Sequence, residues 1–175
     1  MALSTINLKR WIDEHRHLLK PPVGNQLVYQ DGELQVMVVG GPNSRKDFHI
    51  DPGEELFYQL EGDMVLKVRE DSSIRDLPIR EGEILLLPPN VPHSPQRFVN
   101  TVGLVVERQR RPDETESVLW YCENCDNVLY QHTGVITDLV TQLKPLIEGF
   151  YADEGKRTCN VCGTVMQPPA KPKVD

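Results

Sequence analysis

The chain has 175 residues, long enough for one domain to bury a core without disulfides. Asp and Glu total 26 against 19 Lys and Arg, a formal net charge of −7. That balance argues against a nucleic-acid partner, because phosphate binding rests on clustered Lys and Arg. No apolar run approaches the about 20 residues of a membrane span. The segment up to His15 lacks the apolar core of a secretory signal, so the expected compartment is the cytoplasm.

A helix is expected over residues 7–19. Leu8, Trp11, Ile12, His15, Leu18 and Leu19 recur at helical spacing, Asn7 suits an N-cap, and Pro21-Pro22 ends the run. His15 and His17 lie two apart, so they point to different sides and are not read as ligands.

Short apolar or alternating runs follow at Leu27–Gln30, Leu34–Val39, Leu56–Leu60, Met64–Val68, Ile84–Leu87 and Val102–Val106. Met64, Leu66 and Val68 alternate with Val65 and Lys67. Gly32, Gly40-Gly41, Pro52-Gly53, Gly62, Asp71-Ser72-Ser73 and Gly82 punctuate the series. Many short strands with regular turn signals predict a mainly β fold, a barrel or sandwich.

After Arg108 the texture changes. Arg110 to Glu114 reads as an exposed connector. Four cysteines then come as two pairs, Cys122 with Cys125 and Cys159 with Cys162. In a cytosolic chain this spacing predicts a tetrahedral four-sulfur site for Zn or Fe, with a structural role. Six acidic and three basic residues between Glu123 and Thr158 disfavour a nucleic-acid zinc ribbon. Leu139, Val140, Leu143, Leu146, Ile147 and Phe150 predict a helix between the pairs, with Pro145 as a kink or a restart. His132 reads as a polar loop residue, and the Pro- and Lys-rich tail from Gln167 to Asp175 is expected to fray. No internal repeat is visible. The expected division is a barrel over 1–112 and a metal-binding appendage with helix and flexible tail over 113–175.

Two stretches of the barrel region carry chemistry. One runs from His49 through Glu55 to Gly62, the other from Gly82 through Pro88 to His93. Two imidazoles and one carboxylate can hold one face of a ferrous ion and leave open positions where substrate and dioxygen meet. Glu54 competes with Glu55, but strand alternation sends the two to opposite faces.

The spacing Glu55-x6-Gly62, then Gly82-x5-Pro88 and His93, resembles the two motifs of the cupins, small jelly-roll β-barrels with a metal in the mouth. Asp51 stands where the first motif usually has a second His, and Arg97 stands where the second motif usually has Asn. The segments WIDEHRHLLKPPVGN from Trp11, VVGGPNSRKDFH from Val38, EELFYQLEG from Glu54, LLPPNVPHSPQR from Leu86 and VVERQR from Val105 resemble one family within that fold, the 3-hydroxyanthranilate 3,4-dioxygenases. The likeness runs from Trp11 to about Cys162.

The resemblance implies Fe(II) on His49, Glu55 and His93. It implies substrate contact by Arg45, Arg97 and Glu107, which with Glu55 form the catalytic set. It also implies a C-terminal metal on Cys122, Cys125, Cys159 and Cys162, and a homodimer. The implied reaction opens the ring of 3-hydroxyanthranilate with O2. The product is 2-amino-3-carboxymuconate semialdehyde, precursor of quinolinate on the kynurenine route to NAD. The substrate's hydroxyl and amine can chelate the ion, and ring opening between the carbons that bear them is the expectation. Arg97, four residues after His93, suits a planar carboxylate. Glu107, ending an apolar strand, would orient Arg97 or accept from the substrate amine or hydroxyl. Arg45 would steady oxygen, and Asp51 would support the ligands or the turn at Pro52. Two rival readings share the metal motifs: a metal-dependent cupin isomerase and a non-enzymatic metal-binding cupin.

Overall fold

The computed structural model describes residues 4–21, 24–29, 31–71, 73–135 and 139–170, with the side chains of 139–142 outside that description. Pro22, Gln30, Ser72, the side chains of Leu139 and Val140, and residues 171–175 of the tail therefore lie outside the described residues.

Helix α1 spans Leu8–His15 and continues as a 3-10 turn over Arg16–Leu18. The Asn7 carboxamide oxygen accepts from the Arg10 backbone N–H at 3.0 Å, a cap worth about 1 kcal/mol. Eleven strands follow: β1 Asn25–Tyr29, β2 Leu34–Gly40, β3 Asp47–Ile50, β4 Glu55–Glu61, β5 Met64–Glu70, β6 Ser73–Ile79, β7 Ile84–Leu87, β8 His93–Arg97, β9 Val102–Arg108, β10 Glu116–Tyr121 and β11 Val128–Gly134. Helices α2, Leu139–Ala152, and α3, Glu154–Arg157, complete the order. Helix α2 runs through Pro145 rather than restarting there. His132 lies on the exposed face of β11, not in a loop.

The strands form two antiparallel sheets, ordered β1-β2-β9-β4-β7 and β11-β10-β3-β8-β5-β6. The mainly β, two-sheet architecture is the one that the strand pattern predicts. Between the sheets lie Met37, Phe57, Leu87 and Val105 from one side and Met64, Leu66, Val68 and Ile79 from the other. The alternation read at Met64, Leu66 and Val68 is met by exposures of 1%, 0% and 1%. Each such side chain contributes about 1.5–3 kcal/mol by leaving water. Ile12 and Leu19 cover Val38 and Val102 on the outer face of the first sheet. Gly62 closes the β4–β5 turn at φ +62°, a conformation that L side chains rarely adopt.

The expected boundary at residue 112 falls in the loop between β9 and β10. Beyond it, β10 pairs directly with β3, from Ser117↔Ile50 to Trp120↔Asp47. Trp120 is fully buried and stacks on Phe150 of α2 with centroids 4.1 Å apart, which packs the C-terminal helix onto this strand.

Candidate metal centre

Strand register assembles the site. His49 of β3 lies opposite His93 of β8, and Glu55 of β4 lies opposite Glu107 of β9. One ligand atom each of His49, Glu55 and His93 falls within 4.8 Å of the others. Glu55 Oε1 is 3.1 Å from His93 Nε2 and 3.8 Å from His49 Nδ1. Glu54 faces solvent while Glu55 is buried, as alternation requires.

The donor set fits a cation. His93 Nδ1 lies 3.0 Å from the Val91 carbonyl, which can only accept, so in the neutral ring Nδ1 carries the proton. Nε2 then presents a lone pair to Glu55 Oε1, which is buried and lacks a hydrogen-bond donor. Two acceptors facing each other out of water need a positive charge beside them. Without an ion, protonated His93 and His49 together with Arg110 outweigh the burial that pushes the Glu55 carboxyl up and hold it below the usual range, a role that a bound cation would take over from the imidazole protons. His49 is pushed down by burial, yet Glu116, Glu55 and Asp51 raise it overall.

Around the triad lies a layer of buried acids. Asp51, Glu55 and Glu107 bring carboxylate oxygens within 4.8 Å of one another, as do Asp51 and Glu116 with His49. Arg110 answers them. It pairs with Asp51, donates from Nη1 to Glu107 Oε1 at 2.7 Å, and sets Nε 3.3 Å from Glu116 Oε1. Arg110 is thus no part of an exposed connector. Its side chain is 11% exposed, whereas Arg111, Pro112 and Asp113 do face solvent. Burial raises the Glu107 and Asp51 carboxyls, and Arg110 opposes the rise at both. Asp51 also accepts from the Gly53 N–H at 2.6 Å, so it serves both the turn and the charge layer.

On the other side stand two cations. Arg45 pairs with Asp47, which outweighs the effect of burial and keeps the guanidinium strongly protonated. Arg97 is 4% exposed, and its Nη1 donates to Gln59 Oε1 at 3.3 Å. Burial and the charge of Arg45 push Arg97 down to about 10. Gly103 makes the room. A Cβ there would sit 2.5 Å from Arg97 Nη1 and 2.8 Å from Gln59 Oε1. The side-chain partner of Glu107 is Arg110, and that of Arg97 is Gln59, so Glu107 and Arg97 do not hold each other.

The four cysteines converge with one sulfur each within 4.8 Å of the others. Cys122 and Cys162 sulfurs are 3.5 Å apart, as are those of Cys125 and Cys159. A tetrahedron with metal–sulfur bonds near 2.3 Å has edges of about 3.8 Å, so these separations fit a shared ion. Each pair sits on a knuckle of one design. The first Cys N–H donates to the carbonyl five residues on, at Asn127 and Thr164, and its own carbonyl accepts from the N–H four residues on, at Asp126 and Gly163. Those fourth residues take positive φ, 56° and 72°. The backbone therefore repeats although the sequence shares little beyond Cys-x2-Cys.

The profile of the 3-hydroxyanthranilic acid dioxygenase family matches residues 1–151. The chain belongs to this family of enzymes. A protein of Jannaschia sp. named 3-hydroxyanthranilate 3,4-dioxygenase is 56% identical over 93% of this chain and 91% of that one. A protein of the same name from Xanthomonas campestris is 50% identical over 98% and 97%. A solved cupin-2 domain protein from Shewanella frigidimarina is 16% identical with TM-score 0.49, over 60% of this chain and 95% of that one. Among the described residues, no helix is long and apolar enough to cross a membrane.

Sequence patterning assigns no role to Gln59, Gly103 or Glu116 and reads Arg110 only as part of a connector. A signal existed for Gln59, at an inward β4 position two on from Phe57, where a polar residue stands out. Arg110 and Glu116 had none, because their burial depends on β10 returning to β3.

Proposed function

We propose that the barrel site holds a ferrous ion on His49, Glu55 and His93 and opens the ring of 3-hydroxyanthranilate with dioxygen. The observation that carries this reading is the meeting of a buried, donor-free Glu55 oxygen with two imidazole nitrogens, while the strand that bears His93 also carries a buried guanidinium, Arg97, with no acid partner among the described residues. When bound, the ion supplies open positions at which an electron-rich aminophenol and dioxygen react. Family membership favours this over the isomerase and non-enzymatic readings.

The residues of the chain place and neutralise the substrate. Arg97 takes the ring carboxylate with its planar fork, which relieves the strain of an unpaired buried cation. Arg45, held by Asp47, adds positive charge on the same side. Burial strengthens the hold of Glu107 on a proton while Arg110, which can only donate, steadies the resting carboxylate, so Glu107 is suited to take the hydroxyl proton of the substrate. The number pair in the relatives' name corrects the expected bond. Positions 3 and 4 are the hydroxyl-bearing carbon and its unsubstituted neighbour, not the hydroxyl and amine carbons. Both oxygen atoms enter the product, the carboxylated muconate semialdehyde, which closes to quinolinate on the way to NAD.

The second metal, Fe or Zn on Cys122, Cys125, Cys159 and Cys162, fills its shell with sulfur and has a structural role. The barrel as residues 1–112 and the four-cysteine unit as 113–175 remain the proposed division. Paired thiols of this kind suit a cytoplasmic setting. A homodimer would cover the shallow apolar depression of Leu34, Leu56, Leu86 and Val106, and sedimentation of the pure protein tests it.

The deciding experiment is anaerobic reconstitution with Fe(II), then 3-hydroxyanthranilate, then oxygen. The expected result is oxygen uptake with a new absorbance from the ring-opened semialdehyde. An iron-loaded protein that consumes no oxygen with this substrate would sink the proposal.

A further inference from the structure

Glu116 is 2% exposed, charged, and unused by the roles assigned above. It belongs to β10, beyond the barrel region read from the sequence. Val118 of the same strand pairs with His49, which brings the Glu116 side chain alongside the imidazole. Its Oε2 lies 2.5 Å from His49 Nε2. On the far side of the carboxylate, Arg110 Nε is 3.3 Å from Oε1 and Nη2 is 3.3 Å from Oε2. Arg110 also holds Asp51 and Glu107, so its position is fixed from three directions.

A carboxylate only accepts, so the contact requires the proton on His49 Nε2. The neutral ring then has its lone pair on Nδ1, the nitrogen 3.8 Å from Glu55 Oε1. The opposite arrangement holds at His93, where the Val91 carbonyl fixes Nδ1–H and frees Nε2. The two imidazoles therefore offer different nitrogens to one point.

We propose that Glu116 is a positioning residue that holds His49 as the Nε2–H tautomer and aims Nδ1 into the barrel site. Arg110 anchors Glu116 in turn. A residue of the C-terminal segment thus completes the barrel centre. Donation from the second ring nitrogen to a carboxylate fixes ring orientation and makes the first nitrogen a better donor. The inference rests on His49 being a ligand.

The test uses the full chain loaded with Zn(II), which is diamagnetic, and labelled with 15N-histidine. Two-bond 1H–15N correlation should show His49 bound through Nδ1 and carrying a protected Nε2 proton. Glu116→Ala should lose that proton to solvent exchange and weaken the barrel zinc about tenfold to a hundredfold in chelator competition, with the four-cysteine zinc unchanged. Glu116→Gln keeps shape and an acceptor oxygen. It should retain the Nε2 proton at a shifted frequency with a smaller loss, and it carries the test if the alanine variant does not fold. Binding of His49 through Nε2 would overturn the inference. So would unchanged His49 signals and affinity in both variants, even with a lower melting temperature. His49→Ala separates the two levels. Undiminished barrel affinity there would overturn the ligand assignment itself, whereas undiminished affinity in the Glu116 variants alone overturns only the positioning role.

Discussion

Arg97 and Gln59 meet inside the barrel with Nη1 donating to Oε1 at 3.3 Å, and no carboxylate among the described residues forms an ion pair with Arg97. A neutral amide orients the guanidinium without quenching its charge. The buried cation is left for an incoming carboxylate, where its fork can act twice. Arg97→Lys should therefore lose about 1–3 kcal/mol of transition-state stabilisation, because a point charge cannot reproduce two parallel contacts. Comparing kcat/KM of the two proteins decides it, and a near wild-type value would remove Arg97 from the substrate. An aminophenol without the carboxylate should bind weakly to the wild type and be nearly indifferent to the change.

Gly103→Ala tests the same pocket from behind. The new Cβ would lie 2.5 Å from Arg97 Nη1, so the guanidinium must swing away from Gln59. No metal-ligating side chain lies among the three nearest contacts at that position. KM should rise by about tenfold, the scale of one charge-assisted hydrogen bond, while iron content stays that of the wild type. Equal KM values would mean that Arg97 has a second productive pose.

His49→Ala, Glu55→Ala and His93→Ala should each abolish barrel iron or turnover and leave most of the fold in place. Three ligands are the smallest facial set, so none is spare. Metal analysis beside circular dichroism reads both effects. Full activity in any one variant would show that another side chain is the ligand.

The legible parts of the fold were those where packing alone chose the residues. Met64, Leu66 and Val68 alternate because one face of β5 is core and nothing else. Strand β8, His93-Ser94-Pro95-Gln96-Arg97, shows no such alternation, because the residues buried at its ends, His93 with Ser94 and Arg97, are polar. Strand β6 lies at a sheet edge and carries Pro78, so its pattern blurs. Strand β10 is buried along its whole length between β3 and β11, which leaves no polar face to mark its period. The site was legible where residues cluster in sequence, at His49–Glu55 and His93–Arg97. It was illegible at Arg110 and Glu116, since a charged run reads as solvated until a distant strand supplies its partners. The acids met by Arg110 come from the residue after β3, from β9 and from β10.

The placement of β10 also bears on whether the four-cysteine site can be separated from the chemistry. Cys122 directly follows the last residue of β10, and Glu116 is the first. A metal lost at one end could in principle loosen the other. The strand, however, is tied by four register pairs to β3, by β11 on its other edge, and by Trp120 stacked on Phe150. None of these ties passes through a thiolate. Cys122→Ser combined with Cys159→Ser should therefore lose one metal per chain and lower the melting temperature, because structural metal binding contributes folding energy. Turnover per remaining barrel iron should stay substantial. The informative measurement is activity normalised to barrel iron, with thermal unfolding and metal analysis on the same sample. A fall of about a hundredfold, with the barrel still loaded and folded, would mean that the knuckles act on the reaction itself and not on stability alone. An electron-transfer or assembly role would then be the better account of the four sulfurs.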